Sequence, residues 1–275
     1  MERKMLRQPA VAGMFYPRDK ARLTATVDEF LAAKVKIGGA VAAVSPHAGY
    51  EYSGPAAGAL FAAIEIPPTV VILGPNHRGV GAAYGISDSG AWQTPLGDAA
   101  IDEVVASGIR KHANFVKSDS ASHAYEHSIE VQIPFLQRRR ASVKIVPLCI
   151  GEHNFARLVE LGAAIADAVK DAGVEALVLA SSDMTHYESA DSAARKDGMA
   201  IERMLALDEE GLWQTVGRHG ISMCGVAPAV SAIVAAKALG AVEGRLVKYT
   251  NSGDATGDRS EVVGYASLAF VREAQ

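Results

Sequence analysis

Three short apolar runs in this chain each end a few residues before a histidine, and this repeated arrangement constrains the fold most. Continuous apolar runs of this length, bounded by turn formers, are typical of strands buried in a parallel sheet. Because ligands bind beyond the carboxyl ends of such strands, we expect the three histidines to converge on one crevice. The runs and their histidines are Val41–Val44 with His47, Thr69–Leu73 with His77, and Ala176–Ala180 with His186.

Segments with the apolar period of helices separate these runs, so strands and helices alternate along most of the chain. The alternation predicts an α/β fold: a single domain over residues 1–275, with a largely parallel central sheet and helices on both faces. The predicted helices cover residues 19–33, 56–64, 98–108, 128–139, 154–172, 192–207, 209–216 and 226–239. Further strands are expected at residues 82–87, 143–150, 245–250 and 262–271.

Four local signals refine these boundaries. Pro55 suits the first position of its helix, and Asp98 is a plausible N-cap for the helix that follows it. Pro134 should kink its helix or shorten the first part. Residues 92–97 read as a loop.

Composition narrows the classes of partner. The chain has 275 residues and a net charge of −4, and it lacks a dense basic stripe, so we expect no nucleic acid. Its one tight basic cluster, Arg138–Arg140, reads as the solvated end of a helix. Residues 225–240 are too short to span a bilayer and include Lys237, so we expect a cytoplasmic protein without membrane contact. Neither residues 79–81 nor 253–257 carry a nucleotide-binding fingerprint.

The chain contains two cysteines, which cannot form a disulfide framework. Cys149 lies within an apolar run and is expected to be a buried packing residue. Cys224 precedes an apolar helix, whose N-terminus should lower the thiol pKa. We therefore hypothesise a metal-centred site built by the three strand-end histidines, with Cys224 as a further ligand. The alternative for Cys224 is a small buried side chain.

Two other segments carry candidate residues. Asp183 and His186 are three residues apart, and either one could bind metal, orient a ligand or act as a base, whereas Asp183 could equally cap a turn. Glu126 and Glu130 could serve as first-turn acids of a helix, and His127 is the better candidate for a substrate-facing donor. The remaining histidines, expected to be structural or exposed, are His112, His123, His153 and His219.

Taken together, five motifs resemble the Memo family (mediator of receptor-driven cell motility), whose bacterial and archaeal members are called AmmeMemoRadiSam system protein B. The resemblance spans nearly the whole chain, and residues 7–17 look like that family's opening segment. The motifs are Pro46-His47-Ala48-Gly49-Tyr50, Gly74-Pro75-Asn76-His77, Glu126-His127-Ser128-Ile129-Glu130, Ser181-Ser182-Asp183-Met184-Thr185-His186 and Cys224-Gly225.

The Memo family is similar in fold to the class III extradiol ring-cleaving dioxygenases, which hold non-haem Fe(II) with two histidines and a glutamate. The resemblance implies that His47 and His77 are metal ligands and that Cys224 takes the place of the glutamate. It also implies that His186 is the catalytic histidine, with Asp183 in the same Ser-Asp-x-x-His motif.

The substrate pocket implied by the resemblance contains His127, together with Glu126, Arg78 and Tyr50 in or beside the same motifs. Fe(II) is the favoured metal. A thiolate keeps the charge of a carboxylate but is softer, which puts ring cleavage in doubt and makes copper or zinc alternatives.

Three functions remain open from the sequence. The first is a metal-dependent redox or oxygenase-type enzyme of unknown substrate. The second is a non-catalytic module that binds a phosphotyrosine-like peptide or an anionic small molecule, with Arg78 as a holding group. The third is a zinc-dependent hydrolase with the same ligands. The family's system name also implies radical-SAM and AMME-type proteins as partners.

Overall fold

Buried apolar segments form the strands of a large mixed sheet in a computed structural model that describes residues 5–33 and 36–273. Numbered in chain order over these residues, the strands are β1 (Leu6–Arg7), β2 (Ala40–Ser45), β3 (Thr69–Pro75), β4 (Tyr84–Ile86), β5 (Ala91–Thr94), β6 (Gly97–Ala100), β7 (Lys117–Ser118), β8 (Lys144–Ile150), β9 (Ala176–Ser181), β10 (His186–Glu188), β11 (Glu243–Asn251) and β12 (Val262–Val271). Strands β1, β5 and β6 form a separate small sheet, and the others belong to the main sheet.

The centre of the main sheet is parallel, as predicted. Its strands run in the order β2-β9-β3-β8, and all three of these pairings are parallel. Strand β12 adds to β2 in the antiparallel direction and also pairs with β10 and β11, while β4 lies antiparallel to β8. The carboxyl ends of β2, β3 and β9 therefore lie side by side at one edge of the sheet, which is where the chain places the histidine motifs.

Helices cover both faces of this sheet, which confirms the α/β prediction. The apolar helix α8 packs on β2, β3 and β9 with α5 beside it, whereas α2 packs on β12 together with α1 and α4. The helices are α1 (Lys20–Phe30), α2 (Tyr50–Ala63), α3 (Glu103–His112), α4 (Ile133–Arg139), α5 (Phe155–Ala172), α6 (Ala190–Leu205), α7 (Glu209–His219), α8 (Val226–Ala238) and α9 (Gly253–Thr256), with a 3-10 turn at Glu130–Gln132.

Local capping residues define the ends of two of these helices. The Asp19 carboxylate accepts a hydrogen bond from the Arg22 amide and begins α1, and Asn154 caps α5 in the same way. Gly173 adopts a left-handed conformation (φ 62°) and ends α5. Pro134 lies in the first turn of α4 after the 3-10 turn, so the expected shortening of that helix is observed.

The predicted loop at residues 92–97 and the predicted helix start at Asp98 were wrong, although residues 103–108 are helical as predicted. Residues 92–97 belong to a hairpin of β5 and β6 rather than a loop, and Asp98 lies within β6. Helix α3 begins later and is capped by Asp102, which accepts from the Val105 amide. Buried and more exposed side chains alternate along β5, with Trp92 buried, which is the two-residue repeat of a strand and was not predicted from the sequence.

Helix α2 also begins earlier than predicted. It starts at Tyr50, whose amide donates a hydrogen bond to the Phe15 carbonyl oxygen at 2.8 Å, so a distant segment satisfies the first turn. Pro55 consequently lies inside the helix and removes one intrahelical hydrogen bond. Over residues 5–33 and 36–273, no helix has both the length and the apolar character needed to cross a bilayer.

Candidate metal centre

The loop after β2 places His47 just beyond the carboxyl end of that strand, where the residue is 2% exposed. Its backbone N–H donates to Asp183 Oδ1 at 2.7 Å, so the loops that follow β2 and β9 are tied together. Burial is the main reason that the pKa of His47 lies well below its ordinary value, and the neighbouring His127 and His77 rings lower it further. His47 is therefore a neutral imidazole.

His47, His77 and Cys224 meet at this edge, as predicted. One ligand atom from each of the three residues lies within 4.8 Å of the others. Cys224 Sγ is 3.2 Å from His47 Nε2, and the two imidazole centroids are 5.2 Å apart with their planes at 79°. The three side chains come from segments far apart in sequence and could hold one metal ion.

Hydrogen bonds to Ser181 fix the tautomer of His47. The Ser181 hydroxyl donates its one proton to the Ser128 carbonyl oxygen at 2.6 Å and accepts from Gln132 Nε2 at 2.9 Å. Ser181 Oγ also lies 2.9 Å from His47 Nδ1. Since its proton is already used, Ser181 accepts here, so His47 Nδ1 carries the hydrogen and Nε2 keeps a free lone pair facing Cys224.

A carboxylate fixes the tautomer of His77 in the same sense. His77 Nδ1 lies 2.9 Å from Glu126 Oε1, and the His77 backbone N–H donates to Oε2 of the same carboxylate at 2.7 Å. Burial alone would raise the pKa of Glu126, but hydrogen bonds from His77 and the Ser128 amide, with the charge of His77, hold it well below the ordinary value. The ionised carboxylate accepts from Nδ1–H and leaves His77 Nε2 free.

These contacts correct the prediction for Glu126. Besides His77, its Oε1 accepts the backbone N–H groups of His127 and Ser128, both at 2.9 Å, and the residue is 1% exposed. Neither carboxylate oxygen is open to a substrate, and the residue precedes the 3-10 turn instead of lying in a helical first turn. Glu126 also forms a second potential ligand group with His77 and His127. Because its oxygens are already occupied, we assign it an orienting role.

His127 lies against both candidate ligand histidines. Its ring stacks on His77 with centroids 4.7 Å apart and also contacts Phe15 at 4.7 Å. Burial, opposed by Glu126 but assisted by the charges of His77 and Arg78, lowers the pKa of His127 to about 4. Its ring is therefore neutral near neutral pH.

His186 is half-buried and belongs to neither of the two potential ligand groups, so the expected convergence of three histidines holds at ligand distance for His47 and His77 only. Its Nδ1 lies 2.9 Å from the Ser222 carbonyl oxygen, and its backbone N–H donates to Ser222 Oγ at 2.7 Å. A carbonyl oxygen can only accept, so Nδ1 carries the hydrogen and Nε2 is available as a base. The loop that presents His186 is joined to Ser222, two residues before Cys224.

The expected low pKa of Cys224 was wrong. Burial raises the pKa of this thiol, and the nearby charge of Asp183 raises it further. The N-terminus of α8 does not offset this rise in the pKa of Cys224. Gly225 lets the chain lie close to the end of β9, because a Cβ on residue 225 would collide with the Ser181 carbonyl oxygen and the Ser182 side chain. The thiol is therefore protonated and can donate to the free Nε2 of His47.

Asp183 is 5% exposed and faces this cluster. Burial raises the pKa of its carboxyl group, against hydrogen bonds from the His47 and Ala48 amides, which lower it. Its Oδ2 lies 3.9 Å from His47 Nε2. The side chain thus positions the His47 loop and does not merely cap a local turn.

Tyr50 and Arg78 lie in different surroundings. Tyr50 is 4% exposed, and its hydroxyl donates to the Val131 carbonyl oxygen at 2.7 Å. Its ring packs against Phe135, so the expectation of a ligand-facing residue is corrected: Tyr50 is a core residue beneath the site. Arg78 is exposed next to His77, and its Nε donates to the Tyr125 carbonyl oxygen at 3.1 Å.

Sequence reasoning missed the role of Glu130. This fully buried carboxylate accepts from Arg7 and from the Tyr16 hydroxyl, both at 2.6 Å, and from the Ala10 and Val11 amides. It therefore anchors the opening segment, which in turn delivers Phe15 to His127. Ser181 and Ser222 were also missed, although Ser181 stands in a recognised motif and Ser222 lies two residues before Cys224.

Comparisons with known proteins agree with this architecture. A family model described as Memo-like protein matches residues 7–269. A MEMO1 family protein of Methanopyrus kandleri is 44% identical, covering 98% of this chain and 100% of that protein. One from Aquifex aeolicus is 42% identical, covering 97% and 99%. The solved structure of an uncharacterized Escherichia coli K12 protein has a TM-score of 0.50 over 82% of this chain and 98% of that one, and at 15% identity it supports the fold alone.

Proposed function

The chain belongs to the Memo family, and from that premise we propose that it is a metal-dependent enzyme of the redox or oxygenase type. The metal would be held by His47, His77 and Cys224. The observation that carries this proposal is a pair of histidines, each anchored through Nδ1, whose Nε2 atoms lie close to the half-buried Cys224 thiol. Histidines oriented through Nδ1 by a fixed acceptor are typical of metal ligands in proteins.

The donor set fits a metal ion. Two imidazole nitrogens and one sulfur leave a coordination position open for a substrate or water. Fe(II) remains our favoured metal because of the family resemblance, with zinc or copper as alternatives because thiolate is a soft ligand. Since the Cys224 thiol is protonated in this arrangement, binding must release its proton.

When bound, the metal would supply Lewis acidity or redox chemistry. The chain's own residues would handle protons and position. His186 Nε2 would accept or return a proton, while Ser222 holds its ring. Asp183 would keep the His47 loop in place, and His127 would present a neutral ring to the substrate.

Two alternatives use the same residues. A zinc-dependent hydrolase would need the same three ligands. A non-catalytic binding module is favoured by one observation, the exposed Arg78, which forms no ion pair within the described part of the chain and could hold an anionic peptide or metabolite. Association with radical-SAM and AMME-type proteins and a cytoplasmic location stay proposals that accompany the family assignment.

The test is elemental analysis of protein purified without chelator or affinity metal, beside the variants His47→Ala and His219→Ala. His219 is exposed at the end of α7 and controls for loss of a histidine. We expect near-stoichiometric iron in the wild type and in His219→Ala, and its loss in His47→Ala. Zinc with the same pattern would favour the hydrolase. Absence of metal in all three proteins after exposure to Fe(II), Cu(I) and Zn(II) would overturn the proposal in favour of the binding module.

A further inference from the structure

Two neighbouring cavities share the side chain of Tyr125, close to the candidate centre. One cavity, of about 320 Å³, is lined by Arg78, Val80, Ala121 and Tyr125. The other, of about 300 Å³, lies on the far side and is lined mainly by β1, β5 and the segment that precedes Glu126. Both have predominantly apolar walls. Their volumes are of the size that small-molecule ligands occupy.

Large apolar side chains are exposed along both cavities. Tyr125 is 75% exposed, Val80 51%, Met5 50% and Leu6 40%. Isolated exposed apolar residues are normal, but four that line two adjoining cavities form a continuous binding surface. Trp92 also lines the second cavity but is 1% exposed, because the Arg7 guanidinium lies over its ring at 4.0 Å.

The two cavities differ in their unpaired charge, because the Arg7 guanidinium in the lining of the second cavity is paired with Glu130. The Arg78 guanidinium donates through Nε to the Tyr125 carbonyl oxygen, which orients it and leaves both Nη groups without a protein partner in the described chain. Arg78 follows the ligand candidate His77, and its charge acts on His127. No carboxylate of residues 5–33 or 36–273 forms an ion pair with it. An anionic group would therefore be held beside the candidate centre.

We propose that the substrate of this centre is an anionic amphiphile. Its carboxylate or phosphate head would bind at Arg78, and its apolar body would lie over Val80 and Tyr125 towards Leu6 and Trp92. That the bound molecule is a substrate rests on the proposed function, but the binding surface itself does not include His47, Cys224 or any metal.

The experiment measures binding to metal-free protein, so that its outcome is independent of metal content. The probes are octanoate and octyl phosphate, with butyrate and octanol as comparisons, all below their micelle-forming concentrations. Titration calorimetry gives affinities. The chain has two tryptophans, Trp92 and Trp213, so in a Trp213→Phe background the fluorescence reports on Trp92 alone.

We expect at least one of the two long-chain anions to bind, and octanol and butyrate to bind much more weakly. Within a homologous series, affinity should rise roughly two- to four-fold for each added methylene. The stronger of the two octyl compounds identifies the head group. Trp92 fluorescence should change on saturation.

Variants separate the two ends of the surface. Arg78→Gln should remove the preference for octanoate or octyl phosphate over octanol, and Tyr125→Ser should reduce the increment for each methylene. Arg195→Gln, on an exposed arginine of α6, controls for loss of a positive charge. Tyr187→Ser removes an equally exposed tyrosine (75%) beside His186.

Several results would overturn the proposal. These are absence of binding by both octyl anions, equal binding of octanol, or an Arg78→Gln variant that binds as the wild type does. A larger loss of affinity in Tyr187→Ser than in Tyr125→Ser would show that the apolar body binds beside His186 and not along the two cavities. If the protein holds metal but fails these tests, only the substrate class is wrong; if it binds the amphiphile but holds no metal, only the enzyme proposal is wrong.

Discussion

At the scale of single residues, the candidate centre depends on which nitrogen of each histidine carries hydrogen. His47, His77 and His186 all have Nδ1 bound to an acceptor, namely Ser181, Glu126 and the Ser222 carbonyl. Three different acceptors thus produce the same tautomer in three loops. With each Nδ1 occupied by an acceptor, metal binding and proton transfer in this centre would use the Nε2 atoms.

The Ser181→Ala variant tests this arrangement. Without the hydroxyl, His47 Nδ1 loses its acceptor, and we expect metal affinity to fall roughly 10- to 100-fold. Ser45→Ala is the matched control, because Ser45 is also fully buried at a strand end but its hydroxyl has no hydrogen-bond partner among the described residues. Metal titration and nitrogen NMR of the metal-free rings provide the readouts. Equal affinities and unchanged tautomers in both variants would contradict the assignment.

At the scale of elements, close helix packing supports the loop that carries His47. Helix α2 follows that loop directly, and its Gly54 and Gly58 lie against Phe30 at the end of α1. A Cβ on Gly58 would come within 2.6 Å of the Phe30 carbonyl oxygen, which is backbone and cannot rotate away. The sequence alone did not identify Phe30 as the residue that packs against these glycines.

The pair Gly58→Ala and Gly198→Ala tests this contact. Both glycines lie inside helices, but a Cβ on Gly198 of α6 meets no atom within 4 Å among the described residues. We expect Gly58→Ala to lower the free energy of unfolding by about 1–3 kcal/mol through overpacking. Gly198→Ala should raise it by about 0.5–1 kcal/mol because alanine favours helix. Urea unfolding measures both, and a Gly58→Ala variant as stable as the wild type would refute the close approach.

At the scale of the whole molecule, acid should weaken the junction between the small sheet and the main one. His123 is 1% exposed, lies 5.2 Å from the Trp92 ring and contacts the Gly85 carbonyl oxygen through Nε2 at 3.1 Å. Burial, aided by the charge of Arg7, lowers the pKa of His123 to about 4. The unfolded chain, with an ordinary histidine pKa, binds this proton more readily.

Above pH 6.5, the approximate pKa of histidine in the unfolded chain, His123 is neutral in both the folded and the unfolded state and does not change the free energy of unfolding. As the pH falls from there towards about 4, the free energy of unfolding decreases by up to about 3 kcal/mol. Urea unfolding near pH 7 and near pH 4.5 should show a smaller decrease for His123→Gln than for the wild type. The exposed His219→Gln variant should behave as the wild type does. An unchanged pH dependence in His123→Gln would disprove the assignment.

The sequence by itself determined the α/β class, the parallel centre of the sheet and the meeting of His47 with His77. Strand periodicity is a local property, and parallel strands necessarily bring their carboxyl ends to one edge. Cys224 follows none of these strands, so only the tertiary structure could test the hypothesis that it lies beside the two histidines. The sequence could not place residues 92–102 or the start of α2, where contacts from distant segments outweigh local preference.

Only the tertiary structure decided the chemical state of the site. Burial overrode the helix terminus and raised the pKa of Cys224, and desolvation depends on packing that no motif encodes. Glu126 and Tyr50 stand in the right motifs but are occupied by hydrogen bonds to their neighbours. The tautomers of the histidines depend on Ser181 and Ser222, whose roles exist only once separate loops have come together.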